Sequence, residues 1–352
     1  MTPASALHNK GTPGVTPKIS VIIPVYNTSV YLRRCLNSVC GQTLREIEII
    51  CIDDASTDNS HAILQEYAGK DSRLRISHLQ KNEGAGNARN KGMALATGDY
   101  IAFVDSDDDI QLDFYEKLFA KASAEKADIV KGSLCEDSGA KHTLWKVNSP
   151  CAGANRFRFL FQFTTAIFRS QLLRDNNVRF LPDTSYNEDL AFALQAVTAA
   201  KTIAIIDDAL YYYRRREGSI NAKSLSLRKI IGGIKTARLM ADYLNAALLE
   251  REEYRLAFDC YVTLRLCLLP ARVAPENRTA ACGLVAACLL ELFTECHDTA
   301  VFLHRGKTIY DLLAANDVAG IADHLLRQAP EKTILAGLRG RHIAEATTTR
   351  QR

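Results

Sequence analysis

The chain has 352 residues, 47% of them hydrophobic, and a formal net charge of +4 at neutral pH. This length and hydrophobic content allow one large α/β domain with a smaller appendage and exclude a disordered protein. Lysine and arginine are scattered along the chain rather than gathered in one stripe, which argues against a nucleic-acid partner. The ten cysteines include no CxxC pair, so we expect reduced thiols of a cytoplasmic protein rather than disulfides or a cysteine zinc site.

Neither end of the chain carries the pattern of a membrane-spanning helix. Residues 1–17 contain no apolar run and predict a flexible tail. The longest apolar stretch, at 280–293, is shorter than the ~20 residues that a spanning helix needs, and it contains Glu291. The arginine-containing tail at 331–352 has two interpretations, a solvated tail or a contact with anionic lipid. We therefore expect a cytoplasmic protein with at most a peripheral membrane contact.

Apolar runs alternate with helical periodicities along the first third of the chain. Ile19 to Ile23 form a largely β-branched run that ends at Pro24, which is typical of a buried parallel strand. A helical periodicity then ends at Gly41 before the next run, as in a right-handed strand–helix–strand unit. Such alternation is typical of an open, mostly parallel sheet with helices on both faces, which binds ligands beyond the carboxyl ends of its strands. The predicted elements are strands at 18–25, 47–52, 74–79 and 100–104 and helices at 60–67 and 86–96.

The pattern loosens after residue 128. Short strands are predicted at 129–133 and 203–206, and helices at 171–176 and 188–200. From residue 225 the chain is rich in Ala, Leu and Arg, which predicts a helical appendage. We therefore divide the chain into the flexible tail at 1–17, a main α/β domain at 18–222, a helical region at 223–330 and the basic tail at 331–352.

Four acids follow directly on the predicted strand at 100–104. Asp105, Asp107, Asp108 and Asp109 would repel one another at a buried strand end unless a cation neutralised them. An all-oxygen set of ligands suits Mg²⁺ or Mn²⁺. The alternative is a solvated turn or a helix start with Asp109 as its N-cap. The spacing alone leaves both interpretations open.

Two further acids, Asp53 and Asp54, end the second predicted strand. A carboxylate in this position can accept a hydrogen bond from a base or from a ribose hydroxyl. The neighbouring Ser56 and Asp58 are explained more simply as turn residues and as the cap of the next helix.

Three later segments carry groups that bind or react. The loop at 82–90 begins a helix and contains two of the three glycines of the motif that binds dinucleotides. The third glycine is missing, and Arg89 stands in its place. Glu188 and Asp189 begin a helix, where they are either a catalytic base or a favourable charge on the helix dipole. The aromatic run at 211–213 leads into three arginines, which either clamp a diphosphate or form a solvent-facing loop.

Together and in this order, these segments resemble glycosyltransferase family 2, whose catalytic domain has the GT-A fold. The resemblance runs from about residue 18 to residue 220 and implies a nucleotide-binding half at 18–109 and an acceptor and catalytic half at 110–222. The matching motifs are SVIIPVYN at 20–27, IDDASTDNS at 52–60, NEGAGNARNKGMALATG at 82–98, YIAFVDSDD at 100–108 and NEDL at 187–190, with residues 213–220 in support.

The resemblance also implies a role for each matching residue on the donor side. Asp54 would hold the base with Asp53 close behind it, and Arg89 would contact the sugar or the diphosphate. Asp107 would bind Mn²⁺ or Mg²⁺, and Asp105 would bind the ribose or the metal. The remaining nucleotide-sugar contacts implied in this way are Pro24, Tyr26, Asn27, Asn82, Gly84, Ser106, Arg214 and Arg216.

The activity implied by the resemblance is metal-dependent, inverting sugar transfer. The sugar donor would be a nucleotide sugar, and the usual nucleotide of the family is UDP. Asp189 would be the general base, with Glu188 as the alternative. The processive synthases of the family carry a Gln-x-x-Arg-Trp element, and none follows Asp189 in this chain. The absence favours an enzyme that adds single sugars. Its acceptor would be a glycan, lipid-linked or protein-linked, as in surface polysaccharide or glycan biosynthesis.

Two alternatives remain beside this interpretation. One is an inactive relative that only binds, as a scaffold or regulator. The other is a sugar nucleotidyltransferase, which would carry a glycine-rich loop with Lys or Arg after the first strand, where this chain has Pro24 to Asn27.

Overall fold

The computed structural model describes residues 16–137, 139, 142–146, 162–181, 188–215, 225–248, 269–294 and 317–328. The chain divides into two compact units, Met1–Ser219 and Ile220–Arg352. The basic tail and nearly all of the flexible tail expected from the sequence lie outside the described residues. Within the described ranges, the structure contains no helix whose length and apolar content would let it cross a lipid bilayer.

The first half of unit one is a parallel sheet with helical crossovers, as the sequence predicts. Strand β1 pairs in parallel with both β2 and β4, and β2 pairs in parallel with β3. Every residue of β1 and β2 is buried, which accounts for their nearly continuous apolar runs. The elements are β1 (Ile19–Val25), α1 (Ser29–Cys40), β2 (Ile47–Asp53), α2 (Ser60–Ala68), β3 (Leu74–His78), α3 (Ala85–Leu95) and β4 (Tyr100–Phe103).

The second half extends the same sheet with strands of mixed direction. The order across the sheet is β3-β2-β1-β4-β8-β6-β9-β5, with β7 paired to β6. Strand β8 runs antiparallel to β4 and β6, whereas β9 runs parallel to β6. The elements are β5 (Asp109–Ile110), α4 (Phe114–Glu125), β6 (Ile129–Asp137), β7 (His142–Trp145), β8 (Ala166–Arg169), α5 (Ser170–Asp175), α6 (Glu188–Ala199) and β9 (Ile203–Arg214).

Two details of this half differ from the sequence-based expectation. The short strand predicted at 203–206 continues through the aromatic run to Arg214 as one strand, with a register irregularity between Lys131 and Ser133 on its partner. Asp109 is not a helix cap, because it lies in β5 and the next helix begins at Phe114 after Asp113. Asp109 and Ile110 instead pair with Tyr212 and Tyr211 of β9.

A layer of aromatic rings packs beside β4 in the interior. Phe103 of β4 lies 5.3–6.2 Å from the ring centroids of four other phenylalanines. Two of them, Phe180 and Phe192, stack with their planes 6° apart. The other two are Phe163 and Phe168. This cluster fills the space between β4, β8 and α6, and it places Phe163 and Phe180 next to the site described below.

Unit two is helical in its described part. Its α-helices are α7 (Leu227–Leu248), α8 (Pro275–Thr294) and α9 (Val318–Gln328). Helix α8 contacts both α7 and α9. Their buried residues include Ile230 and Ile234 of α7, Val285 and Leu289 of α8, and Ile321 and Leu325 of α9.

Candidate functional site

The carboxylate of Asp54 fixes the loop that begins α3. Asp54 is buried, and its two oxygens accept the backbone N–H groups of Glu83 at 2.7 Å and Gly84 at 2.8 Å. Gly84 has φ +88° and ψ 157°, a conformation open to glycine and strained for other residues. The glycine of this motif therefore lets the loop turn its N–H groups onto the acid. Asn82, which was expected to contact the nucleotide sugar, lies exposed at the start of the same loop.

The carboxylate of Asp53 is fully buried and accepts three donors. Its Oδ1 accepts the N–H of Ser56 at 3.0 Å, and its Oδ2 lies 2.8 Å from Nδ1 of His61 and 2.9 Å from Nδ1 of His78. Burial opposes ionisation, but the hydrogen bonds, led by that from Ser56, lower the pKa of Asp53. Sequence reasoning missed both histidines. The available signal was the place of His78 near the end of the predicted strand at 74–79, because parallel strands bring their carboxyl ends to one edge of the sheet.

The segment after β1 shapes the turn that follows β2. Asn27 has φ 51°, a left-handed conformation that asparagine tolerates. Its side-chain oxygen accepts the N–H groups of Thr57 at 2.7 Å and Asp58 at 3.3 Å. Pro24 is buried in β1 and Tyr26 is 46% exposed. Of the residues expected to line the base pocket, Tyr26 thus presents its ring to solvent and Asn27 is engaged by the turn.

Asp58 bonds to two helix starts at once. Its carboxylate accepts the N–H of Ser29 in α1 and the N–H of Ser60 in α2, each at 2.9 Å. These bonds, opposed by burial, lower the pKa of Asp58 to about 2. Asp58 is not itself the N-cap of α2, which is Asn59, but its carboxylate accepts the first N–H of both helices.

Arg89 joins the loop after β4 to the start of α6. Its guanidinium lies 2.6 Å from the Asp105 carboxylate and 3.9 Å from that of Glu188, and Arg89 is only 5% exposed. The charges of Asp105, Glu188 and Asp189 outweigh burial and raise the pKa of Arg89. Its Nε and Nη1 atoms are buried without a hydrogen-bond partner. Buried unpaired donors of this kind are costly unless a ligand uses them.

Two aromatic rings enclose the same guanidinium. Its central carbon lies 5.0 Å from the ring centroid of Phe163 and 5.2 Å from that of Phe180. Ring faces attract the cation and exclude water from it. Neither phenylalanine was singled out from the sequence, because an apolar residue far along the chain gives no sign of which side chain it covers.

The acid loop, Asp105 to Asp108 after β4, contains both partly exposed and buried residues. Asp105 and Asp107 are partly exposed, whereas Ser106 and Asp108 are buried. Ser106 accepts a hydrogen bond from the Thr28 hydroxyl at 3.0 Å. Burial, followed by the charges of Asp105 and Asp107, raises the pKa of Asp108 well above its usual range. The loop is thus a focus of negative potential.

Tyr211 and Arg214 anchor this loop from β9. The Tyr211 hydroxyl donates to Asp108 at 2.8 Å and accepts the N–H of Asp105 at 3.1 Å, and the N–H of Arg214 donates to Asp108 at 2.9 Å. The guanidinium of Arg214 lies 3.8 Å from Asp109 and 4.0 Å from Asp137. Its predicted contact with a diphosphate stays a prediction. Arg216 lies outside the described residues.

The two expected bases begin α6. Glu188 is about one quarter exposed at its side chain and Asp189 is exposed. Burial and the charge of Asp189 raise the pKa of Glu188, although Arg89 opposes the shift. The structure therefore brings Glu188, Arg89 and Asp105 into one cluster.

A family model described as Glycosyl transferase family 2 matches residues 20–182 of the chain. The glycosyltransferase GlyG of Streptococcus pneumoniae is 32% identical over 228 residues, which cover 57% of this chain and 72% of GlyG. The glycosyltransferase EpsJ of Bacillus subtilis is 31% identical over 217 residues and 58% of this chain. The match spans 63% of the length of EpsJ.

A third relative is TarS of Staphylococcus aureus, a poly(ribitol-phosphate) β-N-acetylglucosaminyltransferase. It is 32% identical over 208 residues, which cover 57% of this chain and 36% of TarS. The crystal structure of TarS 1–349 in complex with UDP-GlcNAc matches with a TM-score of 0.71 at 24% identity, over 88% of this chain and 92% of that chain. Unit one thus has the GT-A fold. The chain belongs to glycosyltransferase family 2, as its motifs predicted.

Proposed function

We propose that this chain is an inverting, metal-dependent glycosyltransferase that moves a sugar from a UDP-sugar to a hydroxyl of a glycan or lipid-linked acceptor. The observation that carries the proposal is the buried guanidinium of Arg89, 2.6 Å from Asp105 and 3.9 Å from Glu188. Asp105 belongs to the expected donor half and Glu188 to the expected acceptor half. A single cation with unused donors therefore lies between the two groups of acids that such a reaction requires.

The acids after β4 suit a divalent cation. Sites that handle phosphate bind Mg²⁺ or Mn²⁺ with one or two carboxylates, and phosphate oxygens complete the coordination. Asp105 and Asp107 would supply these carboxylates, and their charges, after burial, contribute to the raised pKa of Asp108 beside them. Such a cation, when bound, stabilises the negative charge on a departing diphosphate.

Arg89 would bind the diphosphate of the donor. A guanidinium matches two phosphate oxygens at once, and the Nε and Nη1 atoms of Arg89 are the donors without a partner. The rings of Phe163 and Phe180 keep water away from this contact, which strengthens it. Asp54 would face the base end, where it also holds the loop at Gly84.

Asp189 would take the proton from the acceptor hydroxyl. That hydroxyl attacks the anomeric carbon from the side opposite the departing diphosphate, so the anomeric configuration inverts. Glu188 is the alternative base, and its raised pKa brings it closer to the pH at which a general base acts. The donor assignment draws support from the name of TarS and from its complex with UDP-GlcNAc.

Calorimetric titration with UDP, with Mn²⁺ or with chelator, tests the donor and metal parts of the proposal. We expect Mn²⁺ to tighten UDP binding at least tenfold in the wild type and to have little effect in Asp107→Asn. Asp113→Asn is the matched control, because Asp113 precedes α4 outside the acid loop and pairs with Lys117. Equal binding of UDP with chelator and with Mn²⁺ would contradict the metal role.

The catalytic part is tested by the release of UDP from UDP-sugars with glycan acceptors or with water alone. Removal of a general base lowers the rate by about 10²–10⁴-fold, so Asp189→Asn should lose nearly all turnover while still binding UDP. Turnover unchanged in Asp189→Asn but lost in Glu188→Gln would move the base to Glu188. Binding without turnover in the wild type, across donors and acceptors, would favour the binding-only alternative.

A further inference from the structure

Three side chains from separate elements meet at the carboxyl end of β2. Asp53 is the last residue of β2, and His78, the last residue of β3, is its partner across the parallel pair. His61 is the second residue of α2. The two imidazole rings meet edge to face, with centroids 4.9 Å apart. Neither histidine has a part in the proposed sugar transfer.

Both imidazoles direct Nδ1 at the same carboxylate oxygen. The distances to Oδ2 of Asp53 are 2.8 Å from His61 and 2.9 Å from His78, and ligand atoms of all three residues lie within 4.8 Å of one another. Metal–ligand bonds of about 2.1 Å place neighbouring ligand atoms about 3.0–3.4 Å apart around one ion. To bind an ion, each neutral imidazole would shift its proton from Nδ1 to Nε2, so that no net charge is lost, and each Nδ1 would move from the oxygen by about 0.1–0.6 Å.

The surroundings suit an ion that enters from solvent. Oδ1 of Asp53 accepts the N–H of Ser56 at 3.0 Å, which fixes the orientation of the carboxylate from outside the cluster. The Asp53 side chain is fully buried, whereas those of His61 and His78 are 36% and 41% exposed. Three protein ligands with an open side leave a position for water.

We propose that Asp53, His61 and His78 form a binding site for Zn²⁺ or a similar transition-metal ion, separate from the carboxylate site at Asp105 and Asp107. Imidazole nitrogens suit zinc, nickel and copper, whereas a set made only of oxygens suits Mg²⁺ and Mn²⁺. The two sites therefore differ in the metal that they select. Among the residues that the structure describes, this is the one group of three His, Cys, Asp or Glu side chains close enough to share an ion.

An ion in this site would join β2, β3 and α2. It would stabilise the folded chain according to its affinity for the folded state alone. The site needs no nucleotide sugar, so its test is independent of the sugar-transfer proposal.

The test is zinc binding by chelator-stripped protein. Each form is equilibrated with Zn²⁺, freed of unbound metal and analysed for zinc per chain by mass spectrometry. We expect the wild type to hold one more Zn²⁺ per chain than His61→Ala or His78→Ala. His142→Ala is the matched control, because His142 is a histidine of β7 that is 66% exposed, and it should bind as the wild type does. Zinc held by thiols is common to all forms and cancels in the difference.

A second variant separates metal binding from folding. In the double variant His61→Asn and His78→Asn, the amide groups can still donate to Asp53 but do not ligate zinc well. We expect its metal-free melting temperature to stay within a few degrees of the wild type, and Zn²⁺ to raise the melting temperature only of the wild type and His142→Ala. Asp107→Asn should keep the zinc response. Equal zinc content in all forms, or an equal rise in melting temperature, would overturn the proposal.

Discussion

The hydroxyl of Tyr211 donates to the carboxylate of Asp108 at 2.8 Å. The same oxygen accepts the N–H of Asp105 at 3.1 Å, so one side chain of β9 holds both ends of the acid loop. Tyr211 and Asp108 are both buried, and burial raises the pKa of each. The position of Asp105 beside Arg89 therefore depends on a residue more than a hundred positions away.

Tyr211→Phe should destabilise the protein and weaken the metal-dependent step. Loss of a buried hydrogen bond to a carboxyl group costs about 1.5–3 kcal/mol of unfolding free energy. A less firmly held acid loop should also reduce the factor by which Mn²⁺ increases the affinity for UDP. Urea unfolding and calorimetry measure the two effects, and Tyr212→Phe, at the next position of β9, is the control. An unfolding midpoint equal to that of the control would contradict the anchoring role.

Arg89→Lys should lower kcat/KM for a UDP-sugar at least tenfold although the charge is kept. The ammonium of lysine has its three donors on one nitrogen and lacks the planar fork of the guanidinium, so it does not bind two phosphate oxygens side by side. A tenfold loss corresponds to about 1.4 kcal/mol of transition-state stabilisation. Steady-state kinetics measures it against Arg33→Lys, which replaces an arginine paired with Glu66 on the surface. Equal kcat/KM in the two variants would remove Arg89 from the donor site.

Glu188→Gln should raise the melting temperature at pH 7.5 but not at pH 4. Burial and Asp189 raise the pKa of Glu188 in the folded state, so between the unfolded value of about 4.3 and the raised value the folded chain binds more protons than the unfolded chain. The unfolding free energy then falls as pH rises through this interval. Thermal melts at the two pH values test the difference, with Glu125→Gln as the control. A gain of the same size at both pH values would contradict the assignment.

Lys131 imposes a pH dependence of the opposite sign. Burial lowers its pKa from 10.5 to about 7, and its ammonium donates to the carbonyl of Gln162 at 3.0 Å. Between pH 7 and 10 the unfolded chain binds more protons at this residue, so its contribution to stability rises with pH.

Lys131→Met should remove that contribution. Relative to the wild type, the unfolding free energy of the variant should increase most at pH 6.5, by up to about 4 kcal/mol for a pKa shift of this size. The increase should become smaller toward pH 9.5. Urea midpoints at three pH values measure the gain, and Lys121→Met, on the surface of α4, is the control. A difference from the wild type that does not change with pH would show that the amine stays charged in the folded chain.

The sequence predicts the first half of the domain well because its signals are local. The apolar run of β1 and the acids after β2 and β4 reveal buried strands and their carboxyl ends without knowledge of any distant partner. The mixed half is harder, since the pattern of a strand reports burial and not the direction of its neighbour. The length of a strand can also depend on a distant partner. The short strand expected at 203–206 extends to Arg214 because its later residues pair with β6.

The candidate site shows the same division between local and distant signals. Arg89 and Asp105 were identified from their motifs, and the structure pairs them. Phe163, which covers Arg89, drew no attention in the sequence, and Tyr211, which anchors Asp108, was noted only as part of the aromatic run before the arginines. The role of each depends on a contact across the sheet, and no periodicity along the chain encodes such a contact. The alternative in which Asp109 caps a helix is wrong, because Asp109 lies in β5, a strand of two residues that leaves no pattern along the chain.

The bond between Asp54 and the loop at Gly84 has a consequence for redesign of the donor preference. The acid expected at the base end also holds the entrance of α3, the helix that carries Arg89. A substitution made to accept a different base would therefore also displace the guanidinium that we propose binds the diphosphate. In a double-mutant cycle, changes at Asp54 and Arg89 should be non-additive. If Asp54 contacts the base as proposed, a change of the preferred nucleotide would then require the loop and the acid to be replaced together.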